Sequence, residues 1–288
     1  MLTGFLLAVF TGLTWCAIGM VLSRCARDHF DAVAYSLIQG AGSAVFTFLC
    51  YVNTAEFEFR TAWPLILLVV GAGVVNGCSQ AFVKRAMSRG HHGPVWAISQ
   101  SALVLPFLFS CFVFGERGTV FQWGGTVLIA AGILIPVAGE FRRAREWFLP
   151  AFLSFLMFGL CQVLYLFPSR EAVFADPAHL RPTLVCLGNL TGWSLVGICR
   201  GTRPEFSRAV TLTGIGMALL SVLSLKAFFE SLDILTRCGL GGIGIPVVVG
   251  SNIAFFALYA LVILREKNKP RDWAGLAAVL AGIVCIAL

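Results

Sequence analysis

Ten stretches of the chain are almost free of charge for long enough to cross a bilayer: near residues 2–23, 32–53, 62–83, 93–115, 118–139, 147–169, 182–199, 209–229, 239–264 and 272–288. An α-helix rises about 1.5 Å per residue, so roughly 20 apolar residues cover a hydrocarbon core about 30 Å thick. Inside lipid every backbone N–H and C=O must be paired within the protein, which leaves helices or closed barrels. The apolar runs are continuous and far longer than the alternating segments of about ten residues that build a barrel. The pattern therefore predicts an all-α integral membrane protein with ten transmembrane helices. Composition agrees, with 58% hydrophobic and 12% charged residues and a mean hydropathy of +0.88, outside the range of soluble domains. The first span follows Met1 without a basic leader or a small-residue cleavage site, so it is expected to be a retained helix.

One unit of sequence occurs twice. Glu116, Trp123, Gly125 and Gly132 recur as Glu266, Trp273, Gly275 and Gly282, at a constant offset of 150 residues, and Ser101/Ser251, Ala131/Ala281 and Ile133/Ile283 match at the same offset. The chain is thus two related halves. The charge run Glu140–Glu146 separates five spans from five, which predicts a first five-helix repeat over 1–140, a cytoplasmic linker at 141–146 and a second repeat over 147–288. An odd number of spans per repeat forces the second copy to enter the membrane the opposite way up, so the repeats are expected to be inverted.

Lysine and arginine orient the chain. Loops after the odd-numbered spans hold fifteen of them and the opposite side six. The positive-inside rule then puts both termini outside the cytoplasm in a multi-pass cytoplasmic (inner) membrane protein. The net charge of +7 is accounted for this way, and no nucleic-acid partner is implied.

The duplicated motif over ten spans resembles the ten-helix members of the drug/metabolite transporter superfamily, the EamA-like carriers. The outside termini and the polar mid-span positions look like the rhamnose-type sugar branch. The likeness covers essentially the whole chain, most strongly Pro94–Ile135 and again Pro246–Leu288. It implies a central cavity lined by the first, third, fourth, sixth, eighth and ninth spans, with the fifth and tenth supporting. The second half departs from the pattern at Gly239–Gly244, which does not copy Gly93–Trp96.

Polar side chains in mid-span must find a partner or face water. Those that share helical faces are Trp15 with Thr11 and Thr14 in the first span, Asn76 and Gln80 in the third, and Trp96 and Gln100 in the fourth. Gln162 and Tyr165 follow in the sixth span, Ser221 and Ser224 in the eighth, and Ser251, Asn252 and Tyr259 in the ninth. Amides and hydroxyls beside aromatic faces suit a small polar molecule; the plainer reading is that such groups join helices. The expected substrate contacts are Trp15, Asn76, Gln80, Trp96, Gln100, Gln162, Tyr165, Ser251, Asn252 and Tyr259. Lys84 and Lys226 are candidate gates or anion contacts, and Glu116 and Glu266 candidates for capping or latching helix pairs.

No carboxylate lies near the middle of a span, which favours a neutral polar solute, a sugar or polyol first, over a lipophilic cation. An aromatic box holding a quaternary amine stays open through cation–π attraction. A channel or an intramembrane enzyme is the remaining alternative, but no catalytic constellation is visible and an enzyme is not expected. The ten cysteines form no C-x-x-C, His91-His92 has no third ligand, and Gly239–Gly244 lacks the strand and Lys-Ser/Thr of a phosphate loop, so neither metal nor cofactor is expected. The partners left are the bilayer, the solute and a coupling proton or sodium ion, with the protein a monomer or homodimer.

Overall fold

The computed structural model describes the chain apart from residues 29, 53–58, 116, 139–140, 167–179, 202, 239–243 and 268. Among the described residues eleven α-helices follow in order: α1 Leu2–Arg27, α2 Ala32–Tyr51, α3 Phe59–Met87, α4 His92–Gln100, α5 Val104–Val113, α6 Val120–Leu134, α7 Phe141–Leu166, α8 Arg181–Arg200, α9 Arg208–Arg237, α10 Gly244–Val262 and α11 Pro270–Ala287. Among the described residues no strand occurs. Among the described residues, nine segments are long and apolar enough to cross a membrane, with α4 and α5 counted as the one span His92–Val113; α6 is apolar but shorter.

The interruption between α4 and α5 is a 3₁₀ turn at Ser101–Leu103. Pro106 cannot donate to the carbonyl one turn back, and its ring crowds that carbonyl, so the helix tightens just before it. Pro136 acts alike at the end of α6, where Ile135–Val137 forms a 3₁₀ turn. The charged segment expected as a linker at 141–146 is itself helical, because α7 begins at Phe141. Its arginines, alanine and glutamate are all compatible with helix.

The chain packs as two compact units, each drawing on both sequence halves. Unit 1 comprises Met1–Arg27, Phe82–Leu156 and Ser224–Leu288; unit 2 comprises Asp28–Ala81 and Met157–Leu223.

In unit 1, α6 lies against α11 and α1 against α10, and α10 also meets α4 and α11. The α6–α11 contact is made by the duplicated glycines. A Cβ on Gly125 would sit 2.5 Å from the Gly282 carbonyl oxygen, and one on Gly132 would sit 2.7 Å from that of Gly275; the reverse distances are 2.6 and 2.8 Å. Because 125 meets 282 and 132 meets 275, the helices run antiparallel. Without a hydrophobic drive in lipid, such close backbone approach supplies the packing energy. Both helices also open alike, with a side chain in the first turn accepting the backbone N–H of the preceding cap residue. Gln122 Oε1 takes that of Thr119 at 2.9 Å, and Asp272 Oδ2 that of Lys269 at 2.9 Å. These pairs too are 150 residues apart.

In unit 2, α2 packs on α8, and α3 meets α8 through two G-x-x-x-G segments, Gly73–Gly77 and Gly188–Gly192. A Cβ on Gly73 would lie 2.8 Å from Gly188 Cα, and one on Gly77 3.2 Å from Gly192 Cα, so these two helices are parallel. One end of the unit holds a small apolar core of Leu65, Val69, Leu180 and Leu184.

Candidate functional site

The polar residues expected to bind a solute divide between the two units. In unit 1 they form a hydrogen-bonded chain across α4 and α10. Trp96 Nε1 donates to Asn252 Oδ1 at 3.0 Å, and Asn252 Nδ2 donates to Gln100 Oε1 at 3.2 Å. Trp96 and Gln100 are one helical turn apart on α4, so they share a face, and Asn252 reaches both. Asn252 is fully buried, and Trp96 and Gln100 nearly so.

Aromatic rings flank this chain. Trp96 stacks on Phe256 with centroids 5.1 Å apart and planes at 30°, and Phe256 meets Tyr259 at 5.4 Å. Gly19 of α1 makes room for the stack: a Cβ there would come within 2.8 Å of Trp96 Cζ2 and 2.9 Å of Phe256. Trp15, half-buried on α1, packs on Phe228 of α9 at 5.5 Å. Beside it the Thr14 and Ser224 hydroxyls are 2.7 Å apart, and Thr14 also donates to the Thr11 carbonyl. Ser251 is occupied locally. It donates to the carbonyls of Val247 and Val248 and stands against Gly12.

The acid of the second repeat copy lies at one end of this arrangement. Glu266 accepts the backbone N–H of His92 at 2.7 Å and that of Gly93 at 3.2 Å, capping α4. Its counterpart Glu116 falls outside the described residues. Trp123 meets Phe107 and Phe112 of α5 edge-on, and Trp273 is partly exposed on α11. Lys226 pairs with Glu230 one turn on, at 3.7 Å, with both side chains more than half exposed, so the pair contributes little to stability. Lys84 is half-buried near the end of α3.

In unit 2, Gln80 of α3 accepts the indole N–H of Trp193 at 3.2 Å; the tryptophan is fully buried. Asn76, one turn before Gln80, and Gln162 of α7 are half-buried, and no hydrogen bond to their side chains occurs among the described residues. Tyr165 packs on the Leu65–Leu184 core with its hydroxyl buried.

Three residues at these clusters escaped the sequence reading. Trp193 and Asn189 lie one turn apart on α8, and the Asn189 side-chain oxygen is buried with no donor among the described residues, in the space Gly77 leaves beside it. Phe256 supplies the ring beneath Trp96. A mid-span tryptophan and asparagine next to G-x-x-x-G could have flagged α8, whereas one phenylalanine among twenty-five carried no signal.

Over residues 2–138 the chain is similar to the model of the EamA-like transporter family, a likeness consistent with the drug/metabolite transporter superfamily. No curated protein matches the sequence. A crystal structure that is 18% identical has the same fold, covering 99% of this chain and 98% of its own with a TM-score of 0.61.

Proposed function

With its first half matched to the EamA-like transporters, we propose that the protein is a secondary carrier for a small neutral polar metabolite, a sugar or polyol first. It would work across the cytoplasmic membrane by alternating access between two inverted five-helix repeats. The observation that carries this reading is the buried, uncharged chain Trp96–Asn252–Gln100.

Such a chain pairs the Trp96 N–H, the Asn252 amide and the Gln100 carbonyl with one another, so part of the cost of burying them is met internally. Amides both donate and accept, as a solute hydroxyl does, so a polyol can exchange for these bonds without leaving a charge unpaired. The Trp96, Phe256 and Tyr259 rings add apolar faces for C–H surfaces. Trp15, Ser251 and Tyr259 of the same unit are the further contacts we assign. The inverted arrangement is supported by the antiparallel course of the two motif helices, α6 and α11. Catalysis has no part in this reading, since the matched family is one of transporters.

Purified protein screened by thermal shift against sugars, polyols, nucleosides, amino acids and quaternary amines tests the solute class, because a ligand stabilises the folded state by mass action. A saturable shift with one class of neutral polyhydroxy compound, followed by saturable flux of that compound into liposomes, is expected. Flux under an imposed proton or sodium gradient identifies the driving ion. A shift with quaternary amines alone overturns the neutral-solute reading in favour of an aromatic cation box, and unitary conductance overturns the carrier in favour of a channel.

A further inference from the structure

The chain Trp96–Asn252–Gln100 depends on the register of α4 against α10, and a residue outside both helices is placed to set that register. The first N–H groups of a helix have no partner within it, and at α4 the preceding His91 offers no side-chain cap. The cap comes from Glu266, 174 positions away in sequence, whose two carboxylate oxygens take the N–H groups of His92 and Gly93. His92 is one turn before Trp96, so the carboxylate grips α4 one turn from the indole. On the other side, Glu266 follows α10 closely and is tied back to it, its own N–H donating to the Ala260 carbonyl at 3.1 Å.

The turn that aims this carboxylate is strained. Arg265 has φ +52, the only positive φ at a non-glycine position among the described residues. At the matching position of the first half, Gly115 has φ +69. Both copies thus place a left-handed residue directly before the acid, once with glycine, which adopts it freely, and once with arginine, which does not. A strained conformation kept at such a turn directs attention to what it aims.

We infer that Glu266 is a positioning residue: it clamps the start of α4 to the end of α10 and so holds Trp96 in hydrogen-bonding register with Asn252. The consequence for solute affinity rests on the carrier reading above, so the test separates the two. The seven tryptophans give seven indole resonances in a ¹H–¹⁵N spectrum of the detergent-solubilised protein, and Trp96→Phe assigns the one from Trp96. Glu266→Ala is expected to shift that resonance and to raise the flux KM about tenfold, a loss of transition-state and ground-state binding alike. Glu266→Gln, which keeps one acceptor oxygen, is expected to do less.

Arg265→Val retains the carboxylate but disfavours the turn, so it follows Glu266→Ala; Arg265→Gly preserves the turn and leaves resonance and KM as in the parent. Should Glu266→Ala not fold, the two Arg265 variants and Glu266→Gln decide the matter. An unmoved Trp96 resonance in folded Glu266→Ala, or in Arg265→Val, overturns the clamp. A moved resonance with unchanged KM upholds the clamp and removes Trp96 from the solute site.

Discussion

Two helix contacts within unit 1 hold together by different means. At α6–α11 the backbones touch through Gly125, Gly132, Gly275 and Gly282, and every contact has a twin in the other repeat. At α4–α10 side chains make the join, through Trp96, Asn252 and Gln100. None of these has a twin: 150 residues on from Trp96 and Gln100 stand Pro246 and Gly250, and Asn252 answers to Ala102. A duplicated scaffold keeps its symmetry wherever only packing is asked of it. A site for an asymmetric solute breaks that symmetry, because different donors and acceptors are needed on its two sides. We therefore assign support to the symmetric contact and propose the asymmetric one as the place where the solute is met.

The largest effect that bears on this contrast is expected at Gly132→Leu, where even a Cβ would press on the Gly275 carbonyl and Val279 at 2.7 Å. Forcing the helices apart should cost about 3 kcal/mol or more, read as a lowered midpoint of unfolding in detergent. Unfolding at the parent midpoint would mean that α6–α11 is no scaffold. Next comes Asn252→Leu, which leaves the Trp96 N–H and the Gln100 carbonyl unpaired at about 1–3 kcal/mol each. It should raise the flux KM by about tenfold or more, in the manner of sites that lose a solute hydrogen bond. An unchanged KM in folded protein would take the α4–α10 chain out of solute binding.

Gly19→Ala presses on the same site without touching its hydrogen bonds, because the new methyl meets Trp96 at 2.8 Å and Phe256 at 2.9 Å. Displacing the ring stack should cost about 1 kcal/mol, and a KM raised only a few-fold would rank the aromatic faces below the amides. The smallest change belongs to neighbours on α6. A Cβ on Gly124 would meet nothing within 4 Å, whereas one on Gly125 would meet the Gly282 carbonyl at 2.5 Å. Gly124→Ala should stabilise by about 0.5 kcal/mol through the unfolded state, and Gly125→Ala should destabilise. Equal effects on the unfolding midpoint would show that the glycine spacing, and not the glycine face, is what the repeat preserves.

Much of the fold is legible in the order of residues. Span limits such as 93–115 and 272–288 fall within two residues of His92–Val113 and Pro270–Ala287, because apolar length is a property of consecutive residues. The close glycine contact of α6 with α11 was foreshadowed by the offset of 150, although nothing in that offset said which glycine faces which. The site was half legible. Trp96, Gln100 and Asn252 stood out as bulky polar groups in mid-span, while Gln80 stood out without its partner Trp193, and Phe256 did not stand out at all. Side-chain type reports what a residue can do, and only its neighbour reports what it does.

What the sequence determined alone is therefore the one-dimensional part: an all-helical membrane chain, its spans, its duplication and the polar residues that lipid will not tolerate unpaired. The tertiary structure decided the pairings. It set Trp96 against Asn252 and made Glu266 the cap of a helix 174 residues away. It also drew two compact units from interleaved pieces of both halves. The physical reason is that burial and helix length depend on composition over a window, whereas a hydrogen bond exists only between atoms about 3 Å apart, and that proximity is a property of the folded chain.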